Sequence, residues 1–135
     1  MPALYLLDTN IVSAVMANHP MVRANVSLRS GQIVTCTIVR GEISYGLERL
    51  PPGKRRSNLE AKATAVFAAL PIEPITSAAG DIYGTIRRSL ELNGHNSADN
   101  DLWIAAAALS LGATLVSNDQ GFGYVPGLVV EDWTK

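Results

Sequence analysis

Four carboxylates in this sequence stand where short apolar runs end or helical patterns begin. Leu4–Leu7 ends directly at Asp8. The run Ile33–Val39 (IVTCTIV) is followed by Arg40-Gly41 and then Glu42, in the first turn of the next helix. Asp101 opens an apolar helical stretch, and Thr114–Ser117 passes into Asn118-Asp119. In open parallel sheets the functional crevice lies beyond the carboxyl ends of the strands, so the four acids are expected to meet on one rim. An all-oxygen set suits a hard cation. Mg²⁺ and Mn²⁺ take such ligands, and Mg²⁺ usually keeps several waters beside one or two carboxylates. A cation held there polarises a phosphoryl oxygen and lowers the pKa of bound water; a pair of ions also stabilises attacking and leaving oxygens. Without a cation the carboxylates repel, and at least one has a raised pKa.

Singly, each acid has an ordinary explanation as well. Glu42 and Asp101 would gain from the helix dipole in a first turn, and Asn-Asp is common turn chemistry. Asp8 is harder to explain away, because a carboxylate ending an apolar central strand needs a partner. Asp99, in Asn96-Ser97-Ala98-Asp99-Asn100-Asp101, reads as an N-cap or loop residue. Thr9, Asn10, Ser117 and Asn118 flank the proposed ligands and are placed either to orient them or simply to turn the chain.

The elements that must position these residues alternate along the chain. Leu4–Leu7 and Ile33–Val39 are aliphatic and β-branched enough for buried strands, with weaker strands around Ile72–Ile75, Thr114–Ser117 and Leu128–Val130. Helices are expected over Thr9–Ala17, Pro20–Leu28, Gly41–Leu50, Lys54–Leu70, Ser77–Leu92 and Asp101–Leu111. Ser77 looks like a cap, and Asn93-Gly94 a left-handed stop. Apolar strands alternating with helices imply one α/β domain over residues 1–135, its parallel sheet covered on both faces.

Composition bounds the function. The chain has 135 residues, 47% of them hydrophobic and 17% charged, which excludes a disordered tail. One cysteine excludes an internal disulfide framework, and two histidines leave little for a zinc site. The net charge of −1 conceals a segregation: residues 23–88 carry ten basic and five acidic side chains, residues 89–134 six acidic and no Lys or Arg. The start, Met1 to Asp8, has no positive n-region. The longest apolar stretch elsewhere, Leu102–Leu109, is far shorter than the ~18 residues of a membrane helix. A cytoplasmic protein with no membrane partner is expected.

In order along the chain, Leu6-Leu7-Asp8-Thr9-Asn10, Arg40-Gly41-Glu42-Ile43-Ser44-Tyr45-Gly46, Asn100-Asp101-Leu102-Trp103-Ile104-Ala105-Ala106 and Leu115-Val116-Ser117-Asn118-Asp119 resemble the motifs of PIN-domain ribonucleases. The chain is most similar to the VapC toxins of type II toxin–antitoxin pairs. Val125-Pro126-Gly127-Leu128 and Val130-Glu131-Asp132-Trp133 resemble the usual VapC ending, so the likeness runs from about residue 4 to residue 133.

The resemblance implies a three-layer α/β/α sandwich with strand order 3-2-1-4-5. It implies Mg²⁺- or Mn²⁺-dependent cleavage of RNA, a homodimer, and inhibition by a VapB-like antitoxin. Carried over by position, the catalytic acids are Asp8, Glu42, Asp101 and Asp119, with Asp8 and Asp101 as metal ligands. Glu42 would complete the metal shell or manage the proton of the attacking water.

Arg40, Arg49, Lys54, Arg55, Arg56, Arg87 and Arg88 then become candidate phosphate contacts around an acidic pocket, or else solvated helix faces. His95 reads as a surface residue and Cys36 as core; Tyr45 and Leu47 read as interface or core.

Other readings fit less well. A covalent aspartyl phosphatase would want a second Asp where Asn10 stands, and a receiver domain would want a late lysine that residues 89–134 lack. No Gly-rich phosphate loop is present. A housekeeping RNA-processing nuclease, or a non-catalytic RNA- or partner-binding domain of the same fold, shares most of these features.

Overall fold

Leu6 and Leu7 are fully buried, as expected of a strand with neighbours on both edges. A computed structural model describes residues 3–135; Met1 and Pro2, part of the stretch read above for a targeting signal, lie outside the described residues. The strands are β1 (Tyr5–Leu7), β2 (Ile33–Cys36), β3 (Ile72–Glu73), β4 (Thr114–Val116) and β5 (Val130–Glu131). They form one parallel sheet in the order β3-β2-β1-β4-β5, the order the resemblance implied. Among the described residues six α-helices flank it: α1 (Thr9–Met16), α2 (Pro20–Leu28), α3 (Thr37–Glu48), α4 (Lys54–Ala69), α5 (Ser77–Leu92) and α6 (Asp99–Leu111). The α/β/α sandwich is thus confirmed. Among the described residues, no helix is long and apolar enough to cross a membrane.

Two boundaries differ from expectation in ways that bear on the site. Thr37-Ile38-Val39 is helical, although its β-branched residues favour a strand. Ladder partners run out at Cys36, which pairs with Glu73 at the end of β3. Beyond it Val39 and Ile43, four residues apart, bury one helical face. Burial on the sheet outweighs local propensity. Glu42 therefore stands in the second turn of α3, where a helix-dipole explanation loses most of its force.

The second change is at α6, which begins at Asp99 and has Ala98, without a side-chain bond, at its cap position. A smaller correction concerns α5. Its cap is Thr76, whose hydroxyl accepts from the Ala79 N–H at 3.2 Å, rather than Ser77. The terminal strands also shift slightly, with β3 ending at Glu73 and β5 starting at Val130 in register with Leu115.

The Ala105–Ala108 run is wholly buried, and short side chains let α6 press closely on its neighbours. Gly112 closes α6 in a left-handed conformation (φ 64°), while the Ala113 N–H reaches back to the Ala108 carbonyl at 2.9 Å. Gly94 (φ 74°) ends α5 in the same manner, with the His95 N–H on the Leu90 carbonyl. Cys36 is buried core, as expected. Leu47 packs against the core edge and Tyr45 is exposed.

Candidate active site

The sheet delivers Asp8 first. Its N–H donates to the Val116 carbonyl at 3.0 Å, extending the β1–β4 ladder by one step and setting Asp8 beside Ser117. The carboxylate is buried and held by two donors: Thr9 N–H on Oδ1 at 2.8 Å and Ser117 Oγ on Oδ2 at 2.7 Å. Asp8 thereby also caps α1. Beneath it, Thr35 in β2 donates from Oγ1 to the Leu7 carbonyl at 2.9 Å, tying the ends of two central strands together.

Glu42 arrives from α3. Thr9 Oγ1 donates to its Oε1 at 2.5 Å and Asn100 Nδ2 to its Oε2 at 3.4 Å, so residues of α1 and α6 grip one carboxylate from both sides. Asp119 follows β4 and accepts the Gly121 N–H at 2.8 Å, while its own N–H donates to Ser117 Oγ at 3.0 Å. Ser117 thus orients two acids at once. Asn10 donates to Asn118 Oδ1 at 3.2 Å, closing α1 onto the loop after β4.

The electrostatics show that the acids share one space. Burial raises the Asp8 pKa, opposed by its two hydrogen bonds and reinforced by the charges of Glu42 and Asp119. Asp101, half-buried, is pushed up to about 6 by burial, then by the charges of Asp8, Asp119 and Glu42. Among the described residues, none of the four carboxylates forms an ion pair with Lys or Arg.

All four predicted acids are therefore brought together by four different segments. The donors are all oxygen, the chemistry a hard cation takes, although among the described residues no three acids stand close enough to hold an ion by themselves. Mg²⁺, content with one or two carboxylates and several waters, suits such an open arrangement.

The candidate phosphate contacts divide. Lys54 and Arg55 are exposed at the start of α4 without ion pairs among the described residues, and Arg40 is exposed with its guanidinium over Phe67. Arg49 lies over Tyr45. Arg56 is bound to Glu48 and Glu60, Arg87 to Glu91 and Asp99, and Arg88 to Glu91. Sequence reasoning gave no role to Asn100, whose position one before Asp101 in a first helical turn was the available signal. His95, expected at the surface, stacks on the exposed Tyr124 with ring centroids 3.9 Å apart.

The profile of the PIN domain family matches residues 5–128, spanning all four acids. The chain belongs to the PIN domain family. This PIN domain is similar to ribonuclease VapC2 of Rickettsia felis, 31% identical over 136 residues covering 98% of this chain and 99% of that protein. Among solved structures it is similar to VapBC2 from Rickettsia felis bound to a DNA fragment from their promoter. The TM-score there is 0.88 at 30% identity, over 96% of this chain and 98% of that one. DNA-bound VapBC from Salmonella typhimurium gives a TM-score of 0.89 at 26% identity, over 98% of this chain and 99% of that one.

Proposed function

We propose that this PIN domain, a single domain over residues 1–135, is a metal-dependent endoribonuclease that hydrolyses RNA phosphodiester bonds. It acts as the toxin of a type II pair, as a homodimer, and is neutralised by a VapB-like antitoxin. The relatives named ribonuclease VapC and the VapBC complexes support that reading. The observation that carries the chemistry is the meeting of Asp8, Glu42, Asp101 and Asp119 at the carboxyl ends of the strands, where the charges of Glu42 and Asp119 add to burial in raising the Asp8 pKa, and those of Asp8, Asp119 and Glu42 add to burial in raising that of Asp101.

When bound, Mg²⁺ or Mn²⁺ supplies a Lewis acid for the phosphoryl oxygen and a more acidic water. Asp8 and Asp101 would hold it. Each Asp8 oxygen spends one acceptor site on a protein donor and keeps another free, so Ser117 and Thr9 fix its direction without exhausting it. Glu42, which accepts from Thr9 and Asn100, would accept the proton of the attacking water. Asp119 adds negative charge to the same space and, through Ser117, steadies Asp8. Arg40, Lys54 and Arg55 would hold the RNA backbone by sequence-independent phosphate contacts.

The test is cleavage of RNA with Mg²⁺ or Mn²⁺, with and without EDTA, in wild type, Asp8→Asn and Asp101→Asn. Cleavage that needs the cation and both acids supports the mechanism. Cleavage that survives chelation, or survives both substitutions, sinks it.

A further inference from the structure

Asp99 is the acid nearest Asp101 in sequence, yet its carboxylate joins a different network. Tyr83 Oη donates to Asp99 Oδ1 at 2.8 Å, and Arg87 Nη1 donates to Tyr83 Oη at 2.7 Å while lying 3.5 Å from the same Asp99 oxygen. One turn further along α6, the Trp103 ring stacks on Tyr83, with centroids 3.9 Å apart and planes within 7°. At 100° per residue Asp99 and Trp103 share a face of α6, while Asp101 lies about 200° round from Asp99. The first turn of α6 is therefore gripped by α5 on the side away from the acids.

We propose that Tyr83, Arg87 and Asp99 form a latch that sets the angle of the first turn of α6, and with it the placement of Asp101 and Asn100 against Asp8 and Glu42. Asp99 is then a positioning residue and not a fifth ligand. Two features give the latch leverage. The cap position, Ala98, offers no side-chain acceptor, so the start of α6 lacks the bond that normally steadies a helix end. The Asn100–Glu42 bond is already long at 3.4 Å, so a small rotation of that turn breaks it. The latch is solvent-exposed, and exposed ion pairs add little stability. Its effect is on geometry, where a misplacement of about 1 Å can cost up to about 10²-fold in rate.

The activity arm of the test rests on the nuclease reading; the exchange arm does not. Tyr83→Phe deletes the shared hydroxyl and keeps the ring on Trp103. The expected result is a roughly tenfold fall in kcat with KM within about twofold. Asp99→Ala should match it, and the double variant should be no worse than either single, as residues acting as one unit behave. Asp99→Asn, whose amide oxygen still accepts from Tyr83, should keep most of the activity. Amide hydrogen exchange at Leu102 and Trp103 should speed by about tenfold in Tyr83→Phe, Asp99→Ala and the double variant, and not in Asp99→Asn. The proposal is overturned if Asp99→Asn is as inactive as Asp101→Asn, or if Tyr83→Phe leaves both kcat and exchange unchanged. A wild type that does not cleave RNA defeats the nuclease reading, and exchange alone then decides the latch.

Discussion

Tyr5, at the start of β1, and Asp8, just beyond its end, lie in surroundings that satisfy charge in opposite ways. At its start Tyr5 meets Trp133 with ring centroids 5.3 Å apart, and the Arg29 guanidinium lies 5.2 Å from the Tyr5 ring and 4.8 Å from Trp133. Arg29 also donates to Asn25 Oδ1 at 2.9 Å, and Trp133 Nε1 to Glu131 Oε1 at 2.9 Å, so charge and polar atoms have partners within the protein. At its other end Asp8 gathers three more acids. Among the described residues Asp8, Glu42 and Asp119 accept hydrogen bonds, and none of the four carboxylates forms an ion pair. One end is built for cohesion. The other holds unfavourable charge in reserve, as functional sites commonly do at a cost in stability.

That contrast predicts opposite outcomes for substitutions at the two ends. Trp133→Ala, at a buried site, should destabilise by about 3–5 kcal/mol. Denaturant unfolding gives that loss, while cleavage per folded molecule should stay near wild type. Asp101→Asn should reverse the pattern. We expect a fall in kcat of about 10²–10³-fold, the scale for removing a preorganised electrostatic contact. In EDTA at pH 7 its melting temperature should equal or exceed that of wild type, since a repelled carboxylate has gone. If Asp101→Asn melted well below wild type, the idea of strain at the rim would be wrong. Ser117→Ala, which frees one oxygen of Asp8 and the N–H of Asp119, should cost about 10–100-fold in activity or cation affinity.

The ends should also differ in the sign of their pH response. Asp101 has its pKa raised from 3.8 to about 6, so between those values the native state binds more protons than the unfolded one. Stability from this group is complete below about 4 and is lost as pH rises through about 6. Asp132, beside Trp133, is shifted the other way. Thr134 donates to it from both Oγ1 and N–H and lowers its pKa, so its contribution is lost as pH falls. Urea unfolding of the cation-free protein from pH 4 to 7 should show the Asp101 decline, and Asp101→Asn should flatten it. Smallest is Arg29→Met, which keeps an apolar stem but removes the cation from two rings, and should cost about 1 kcal/mol in denaturant unfolding.

The acid end was largely legible in the sequence because a parallel sheet exposes function at its strand ends, and strand ends are marked by where apolar runs stop. Asp8 and Asp119 follow such runs, and Glu42 and Asp101 stand where helical patterns begin. Their wiring could not be read that way. The Thr9 and Asn100 grip on Glu42 joins residues 33 and 58 positions apart, and the Tyr83–Asp99 bond depends on how α5 lies on α6. The strand-to-helix switch at Thr37 was hidden because IVTCTIV has one local propensity throughout and only its neighbours end it. The aromatic end was scarcely legible. Arg29, Tyr5 and Trp133 lie in three separate segments of the chain, and no local pattern links them.

The most direct test of the central claim, that the rim awaits a cation the protein does not itself provide, is calorimetric titration of Mn²⁺ into the cation-free chain at pH 7. Saturable binding by wild type, lost in both Asp8→Asn and Asp101→Asn, is the predicted result. No binding by wild type, or equal binding by both variants, would contradict it.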